Sequence, residues 1–236
     1  MLNITNNKLI FNFDTSKFNF IELFSDFLNI EINKLDLLHE IFSDKLLLNK
    51  VLTPENDQDQ EIYKILYQID QGYKSIHSDD RGNFFVLYDS FVKYIAENIF
   101  KEDLIFQKKP TLRVSFPNSM AVGGWHRDRD YNHPQEEINI WLPITSAFDS
   151  NTIWIESEFD KEDYEPMNLN YGDFLIFDSG LKHGNVKNIE NRTRISFDFR
   201  VIPKRLFTRS QKTSLNQKIK FDLDHYYLNT NMDLNP

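Results

Sequence analysis

The sequence predicts a mainly β fold with a helical N-terminal part, on two observations. From about residue 111 to 202, short apolar or alternating segments follow one another with turn signals between them, which points to a sandwich or barrel. Before that stretch, apolar residues recur at helical spacing instead.

The elements follow in chain order. Residues 8–13 (KLIFNF) read as a short opening strand. Within 16–29, Phe18, Ile21, Leu23, Phe24, Phe27 and Leu28 fall on one face of a helix. Segments 35–48, 61–69 and 84–100 repeat that habit, with a polar loop at 54–60. After Pro110 the texture changes. Residues 111–116 form a strand candidate. Residues 138–144 (INIWLPI) are nearly continuous apolar, as in a strand buried on both faces. Strands are also expected at 151–155, at 173–177 after a Tyr-Gly turn, and at 194–202, where apolar and polar residues alternate. No internal repeat occurs. The expectation is one domain over 1–236: a helical support region to about 105, a β core over about 106–203, and a polar extension over 204–236. The helices should cover one face of the β-structure.

Composition narrows the function. The formal net charge is −9, a poor match to sequence-independent nucleic-acid binding, which needs a cationic surface. The basic stretch at 204–220 reads as a solvated segment. There is no cysteine, so any metal site must use His, carboxylates or backbone oxygen. No signal-peptide pattern opens the chain, and no run approaches the roughly 18 apolar residues of a membrane span. A cytoplasmic protein with a small-molecule partner, and neither nucleic acid nor membrane, is expected.

The run Trp125-His126-Arg127-Asp128 carries the chemistry. On an extended chain, residues at i and i+2 face the same way, so His126 and Asp128 can meet one ion. Of the six histidines, His183 stands out as the third ligand. It follows the strand-turn DFLIFDSG and precedes Gly184, which permits close backbone approach. His39 reads as structural. Two His and one carboxylate leave coordination positions open, the facial arrangement of non-haem Fe(II) oxygenases. Arg194 starts the next strand and has the planar fork that suits a carboxylate. Ser196 shares its face. Alternatives exist for the same residues. His126-Arg127-Asp128 matches a kinase catalytic triplet, but His133 stands where that loop needs Asn. His126, Asp128, Asp130 and His133 also suit a local metal cluster. Arg127, Arg129 and Tyr131 are placed at the mouth of the pocket. Arg113 and Arg200 either pair with a core carboxylate such as Asp198 or hold an anionic substrate. Trp125, Trp141 and Trp154 are expected in the core.

The pattern His126-x-Asp128, His183, Arg194-x-Ser196 resembles the Fe(II)/2-oxoglutarate-dependent dioxygenases. The runs GGWHRDRDYNHPQEEINIWLPIT, NTIWIES, YGDFLIFDSGLKHGN and TRISFDFRVIP are most similar to the phytanoyl-CoA-hydroxylase-like branch, of streptomycin-biosynthesis type. The resemblance covers about 112–203. It implies a double-stranded β-helix (jelly-roll, cupin-like) flanked by α-helices. It implies Fe(II) on His126, Asp128 and His183, and 2-oxoglutarate on Arg194 and Ser196, with Asn139 and Thr152 beside the co-substrate. O2 would be the oxidant. Asp128 favours hydroxylation over halogenation, which usually replaces the carboxylate. The substrate would be a small polar or anionic biosynthetic metabolite. A binding module without catalysis, or a cupin-type metal enzyme that ignores 2-oxoglutarate, are the alternatives.

Overall fold

The computed structural model describes residues 4–41 (Asn6 apart), 83–120, 124–215 and 218–231. The helix expected at 61–69, the loop at 54–60 and residues 42–48 of the segment expected at 35–48 lie outside these residues.

Strand β1 spans Lys8–Asn12. The first helix, α1, spans Phe20–Leu28, starting later than the periodicity suggested. Its start is set by Asn19, whose side chain accepts from the Glu22 N–H, and its end by Asn29 at φ 53°. A 3-10 turn, Ile32–Leu37, leads into a single helical turn, α2, Leu38–Ile41. Helix α3, Asn83–Ile95, continues as a π turn over Ala96–Phe100.

The strands after it are β2 (Leu104–Gln107), β3 (Thr111–Ser115), β4 (Ile138–Pro143), β5 (Trp154–Ile155) and β6 (Glu165–Pro166). Then come β7 (Asp173–Asp178), β8 (His183–Gly184), β9 (Arg194–Pro203) and β10 (Tyr227–Asn229). The larger sheet runs β1-β7-β4-β9-β2-β10, with β3 also on β9. The smaller runs β6-β5-β8. Every pairing between these strands is antiparallel. The sequence reading missed β2 and β10. Each is short, and neither alternates strongly enough to show a period of two.

Strand β9 organises the molecule. Strand β4 pairs along one edge, while β3 and then β2 share the other. All ten residues of β9 are buried. Ile195, Phe197, Phe199 and Val201 enter a core shared with the helices. Phe20 meets Phe197 edge-on at 5.1 Å between ring centroids, and Tyr88 meets Phe199 at 5.1 Å. The alternate residues, Arg194, Ser196, Asp198 and Arg200, face the other way.

On that second face the two sheets pack together through Trp141, Leu175 and Phe177 of the large sheet and Ile153, Ile155, Met167 and Leu169 beside the small one. A third cluster, absent from the sequence reading, joins Ile105 and Ile202 to Phe221, Tyr226 and Tyr227. The C-terminal segment is therefore docked on the large sheet. Among the described residues, no helix is long and apolar enough to cross a membrane.

Candidate metal centre

Two distant loops are tied together by their backbones. The His126 N–H donates to the His183 carbonyl at 3.0 Å, and the His183 N–H donates back at 2.9 Å. Arg127 is extended (φ −110°, ψ 141°), so Asp128 returns to the face of His126. His126, Asp128 and His183 then bring one ligand atom each within 4.8 Å of one another. The two Nε2 atoms lie 3.6 Å and 3.8 Å from Asp128 Oδ1.

Both rings are oriented by a carbonyl two residues back. His126 Nδ1 lies 2.7 Å from the Gly124 oxygen, and His183 Nδ1 2.9 Å from the Leu181 oxygen. Each carbonyl can only accept, so the protons sit on Nδ1 and the Nε2 lone pairs face the cluster. Nothing in the sequence marked these carbonyls. The local metal cluster is overturned. Among the described residues only His126, Asp128 and His183 group closely enough to hold an ion; His133 lines the cavity but its Nδ1 lies 2.6 Å from Glu137 Oε2, and Asp130 is exposed.

Charges alternate along β9. Arg200 donates through Nε to Asp128 Oδ2 at 3.1 Å, with Nη2 also at 3.1 Å, and through Nη1 to Asp198. Arg113 Nε donates to Asp198 Oδ1 at 2.9 Å. Burial opposes ionisation of Asp128, but Arg200 and the two histidines hold its carboxyl well below the usual range. Burial pushes His183 down to about 4. Burial pulls His126 down as well, but the Asp128 carboxylate and the Gly124 carbonyl outweigh it and raise it.

Arg194 is different. It is 1% exposed, and among the described residues its guanidinium makes one hydrogen bond, from Nη1 to Asn185 Oδ1 at a long 3.3 Å. Its Nε and Nη2, the Ser196 hydroxyl and both amide atoms of Asn139 have no partner among the described residues. The guanidinium carbon sits 5.7 Å from the Trp141 ring centroid. Burial, with Arg113 nearby, lowers its pKa to about 10. Buried polar groups are nearly always paired, so this concentration of unpartnered polar atoms sets Arg194 apart from the paired Arg113 and Arg200. Arg194 and Asn139 line the same cavity as the two histidines and Asp128, a space of about 380 Å³.

No family model matches the chain. The streptomycin biosynthesis protein StrG of Streptomyces griseus is 31% identical over 204 residues, which cover 84% of this chain and 92% of that protein. The chain belongs to the StrG family. Its His126-x-Asp128, His183 and Arg194-x-Ser196 pattern resembles that of the Fe(II)/2-oxoglutarate-dependent dioxygenases. Among solved structures, the nickel complex of the non-haem monooxygenase ThoJ overlaps 53% of the chain, with 18% identity and a TM-score of 0.42. The non-haem α-ketoglutarate-dependent carbocyclase SnoK from nogalamycin biosynthesis overlaps 47%, with 11% identity and a TM-score of 0.38. The chain spans 55% and 54% of the length of these two structures.

In this StrG-family chain several expected pocket residues stand elsewhere. Arg113 and Tyr131 do line the cavity, Tyr131 edge-on to His126 at 5.4 Å. Arg200 lines it too, but its guanidinium is committed to Asp128 and Asp198. Arg127 and Arg129 are not on the wall. Arg127 reaches Asp160 and the buried Glu156, and Arg129 donates to Asp178 at 2.8 Å and to the Gln135 carbonyl at 3.1 Å. Glu156 and Asp178 are buried carboxylates that need a cation, and these arginines supply it. Thr152 is buried off the cavity wall, its hydroxyl donating to the Met167 carbonyl.

Of the tryptophans, Trp141 is core, while Trp125 is 39% exposed and stacks on Tyr164 at 3.8 Å. A Cβ on Gly184 would sit 2.9 Å from the Trp125 ring, so this indole lies on the backbone next to His183. Trp154 is half-buried, its Nε1 donating to the Asp149 carbonyl at 2.9 Å. The sequence reading also missed the C-terminal contribution. Ser214, Leu215 and Tyr226 line the cavity, and Tyr227 donates to Glu137, the partner of His133. The aromatic run FDLDHYYLN was the available signal.

Proposed function

We propose that this protein is a non-haem oxygenase that uses Fe(II), 2-oxoglutarate and O2 to hydroxylate a small polar metabolite. The observation that carries the reading is the unpaired, buried Arg194 guanidinium in the cavity of the His126-Asp128-His183 group. The donor set fits the metal: two imidazole nitrogens and one carboxylate oxygen suit Fe(II) and leave positions free for a chelating co-substrate. The orphaned donors fit the co-substrate, since a guanidinium fork matches a distal carboxylate.

His126 Nε2, His183 Nε2 and Asp128 Oδ1 would hold the iron. Arg194 would bind the distal carboxylate of 2-oxoglutarate, with the Ser196 hydroxyl as a further donor and Asn139 beside it. Iron and 2-oxoglutarate, when bound, supply the oxidising power for attack on a C–H bond, with succinate and carbon dioxide released. The protein orients the reactants and excludes water. Trp141 and Phe177 form apolar wall around the charged groups, and the 204–231 segment closes one side with Leu215 and Tyr226. Arg113, which has one carboxylate partner and lies on the wall, is our candidate for an anionic substrate group.

StrG is named for streptomycin biosynthesis, and a biosynthetic metabolite is the substrate class we favour. We read the chain as one domain, its two sheets as a double-stranded β-helix, and its site of action as the cytoplasm.

The test is anaerobic titration of metal-free protein with Fe(II) and then 2-oxoglutarate. A visible charge-transfer band is expected in the parent. Arg194→Ala should need far more 2-oxoglutarate to develop it. Bound iron without a band in the parent would overturn the reading.

A further inference from the structure

The two oxygens of Asp128 are used differently. Oδ1 faces both histidine Nε2 atoms, while Oδ2 lies 3.1 Å from Arg200 Nε and 3.1 Å from Nη2. Carboxylates bind metal ions through one oxygen or through both. If Asp128 used both, it would fill one more position and shrink the open face that a three-donor set leaves. The fork of Arg200 closes on the oxygen that would do this. Nearby charge alone would not have this effect, because the direction comes from two N–H groups converging on one atom.

Arg200 is itself held. Its Nη1 donates to Asp198 Oδ2, and Asp198 Oδ1 accepts from Arg113 Nε at 2.9 Å. Its backbone is fixed inside the large sheet, opposite Asn139 of β4. The side chain is 8% exposed and cannot swing out without stripping Asp128 of its arginine and Asp198 of one of its two.

We propose that Arg200 is a positioning residue that restricts Asp128 to one-oxygen ligation and so keeps the third coordination position open. The proposal rests on the metal reading above and concerns a residue outside the ligand set.

The test uses Mn(II) alone on the metal-free full chain. Water-proton relaxation per bound ion reports how many waters the ion keeps. About three are expected in the parent, from an octahedral ion with three protein donors. Arg200→Met paired with Asp198→Asn, which removes the second carboxylate that Arg200 serves, should lower the enhancement by about one-third. Mn(II) affinity should be unchanged or tighter. Arg200→Lys keeps the charge but not the fork, so it should fall part of the way.

A merely structural role for Arg200 would do the opposite, weakening Mn(II) binding with no loss of bound water. That result, or equal relaxation in parent and variants, overturns the proposal. If the double variant does not fold, Arg200→Lys decides: parent-like relaxation there overturns it. A parent chain that fails to bind Mn(II) would instead sink the metal reading itself.

Discussion

Replacing Arg194 by Met should stabilise the ligand-free protein and remove its response to 2-oxoglutarate. A guanidinium carries five N–H donors, and among the described residues it makes one long bond, to Asn185. The lowering of its pKa to about 10 measures how poorly the charge is accommodated, a penalty on the order of 3 kcal/mol. Met has similar reach and no charge. Replacing buried ionic groups by apolar ones of similar volume stabilises by about 1–4 kcal/mol. A gain of about 1–3 kcal/mol is therefore expected, at about 2–4 °C in Tm per kcal/mol for a chain of this size. Thermal and urea unfolding with Mn(II) present, with and without 2-oxoglutarate, measure both effects. At a hundred times its Kd the co-substrate should add about 2.7 kcal/mol to the parent and nothing to the variant. A variant that is less stable by more than about 1 kcal/mol would refute the argument that Arg194 is uncompensated. So would a variant that 2-oxoglutarate still protects.

Acid should weaken the metal-free fold through His183. Its folded pKa of about 4 lies below the unfolded value of about 6.5, so the unfolded chain binds the extra proton in that interval. This contribution is complete above about pH 6.5 and lost as pH falls toward 4. Urea midpoints across that range should fall less in His183→Gln. His126 behaves oppositely, since its pKa is raised. Metal binding near neutral pH should displace a proton from it, seen as a buffer-dependent heat in calorimetry that His126→Gln reduces. Glu137→Ala should cost about 2–5 kcal/mol in urea unfolding, because it strands the buried Tyr227 hydroxyl and His133 Nδ1. Gly184→Ala should push Trp125 off the His183 loop, changing its fluorescence and weakening metal affinity while the fold survives.

The parts of the site that the sequence showed are those set by short-range periodicity. His126 and Asp128 face together because Arg127 is extended, and Arg194 and Ser196 because β9 alternates. The parts it hid depend on pairings between distant loops. Arg127 and Arg129 looked like mouth residues until Asp160 and Asp178, 33 and 49 positions away, proved to be their partners. Thr152 was lost to the cavity by a bond to Met167, 15 positions on. The 204–236 segment looked merely polar because its apolar residues follow neither a helical nor a strand period, and Phe221, Tyr226 and Tyr227 fill a cluster completed by Ile105 and Ile202. Its share of the cavity wall follows from that docking, which no local pattern encodes.

One strand explains why the chemistry and the fold are hard to separate here. The apolar residues of β9 enter the core with the helices, and the alternate set presents Arg194, Asp198 and Arg200 to the cavity, with Ser196 buried on the same face. A slip of one residue in its pairing would exchange the faces, putting four polar side chains against Phe20 and Tyr88. The aromatic contacts that stabilise the helical layer therefore also fix the register of the cavity face. With that register set, Arg194 and the arginine that grips Asp128 stand six residues apart on one rigid strand. The spacing between Arg194 and the arginine partner of Asp128 is then a property of the sheet, not of the loops that carry the histidines. Loop substitutions that leave the His126–His183 backbone bridge intact should thus disturb metal affinity more than the geometry between metal and Arg194.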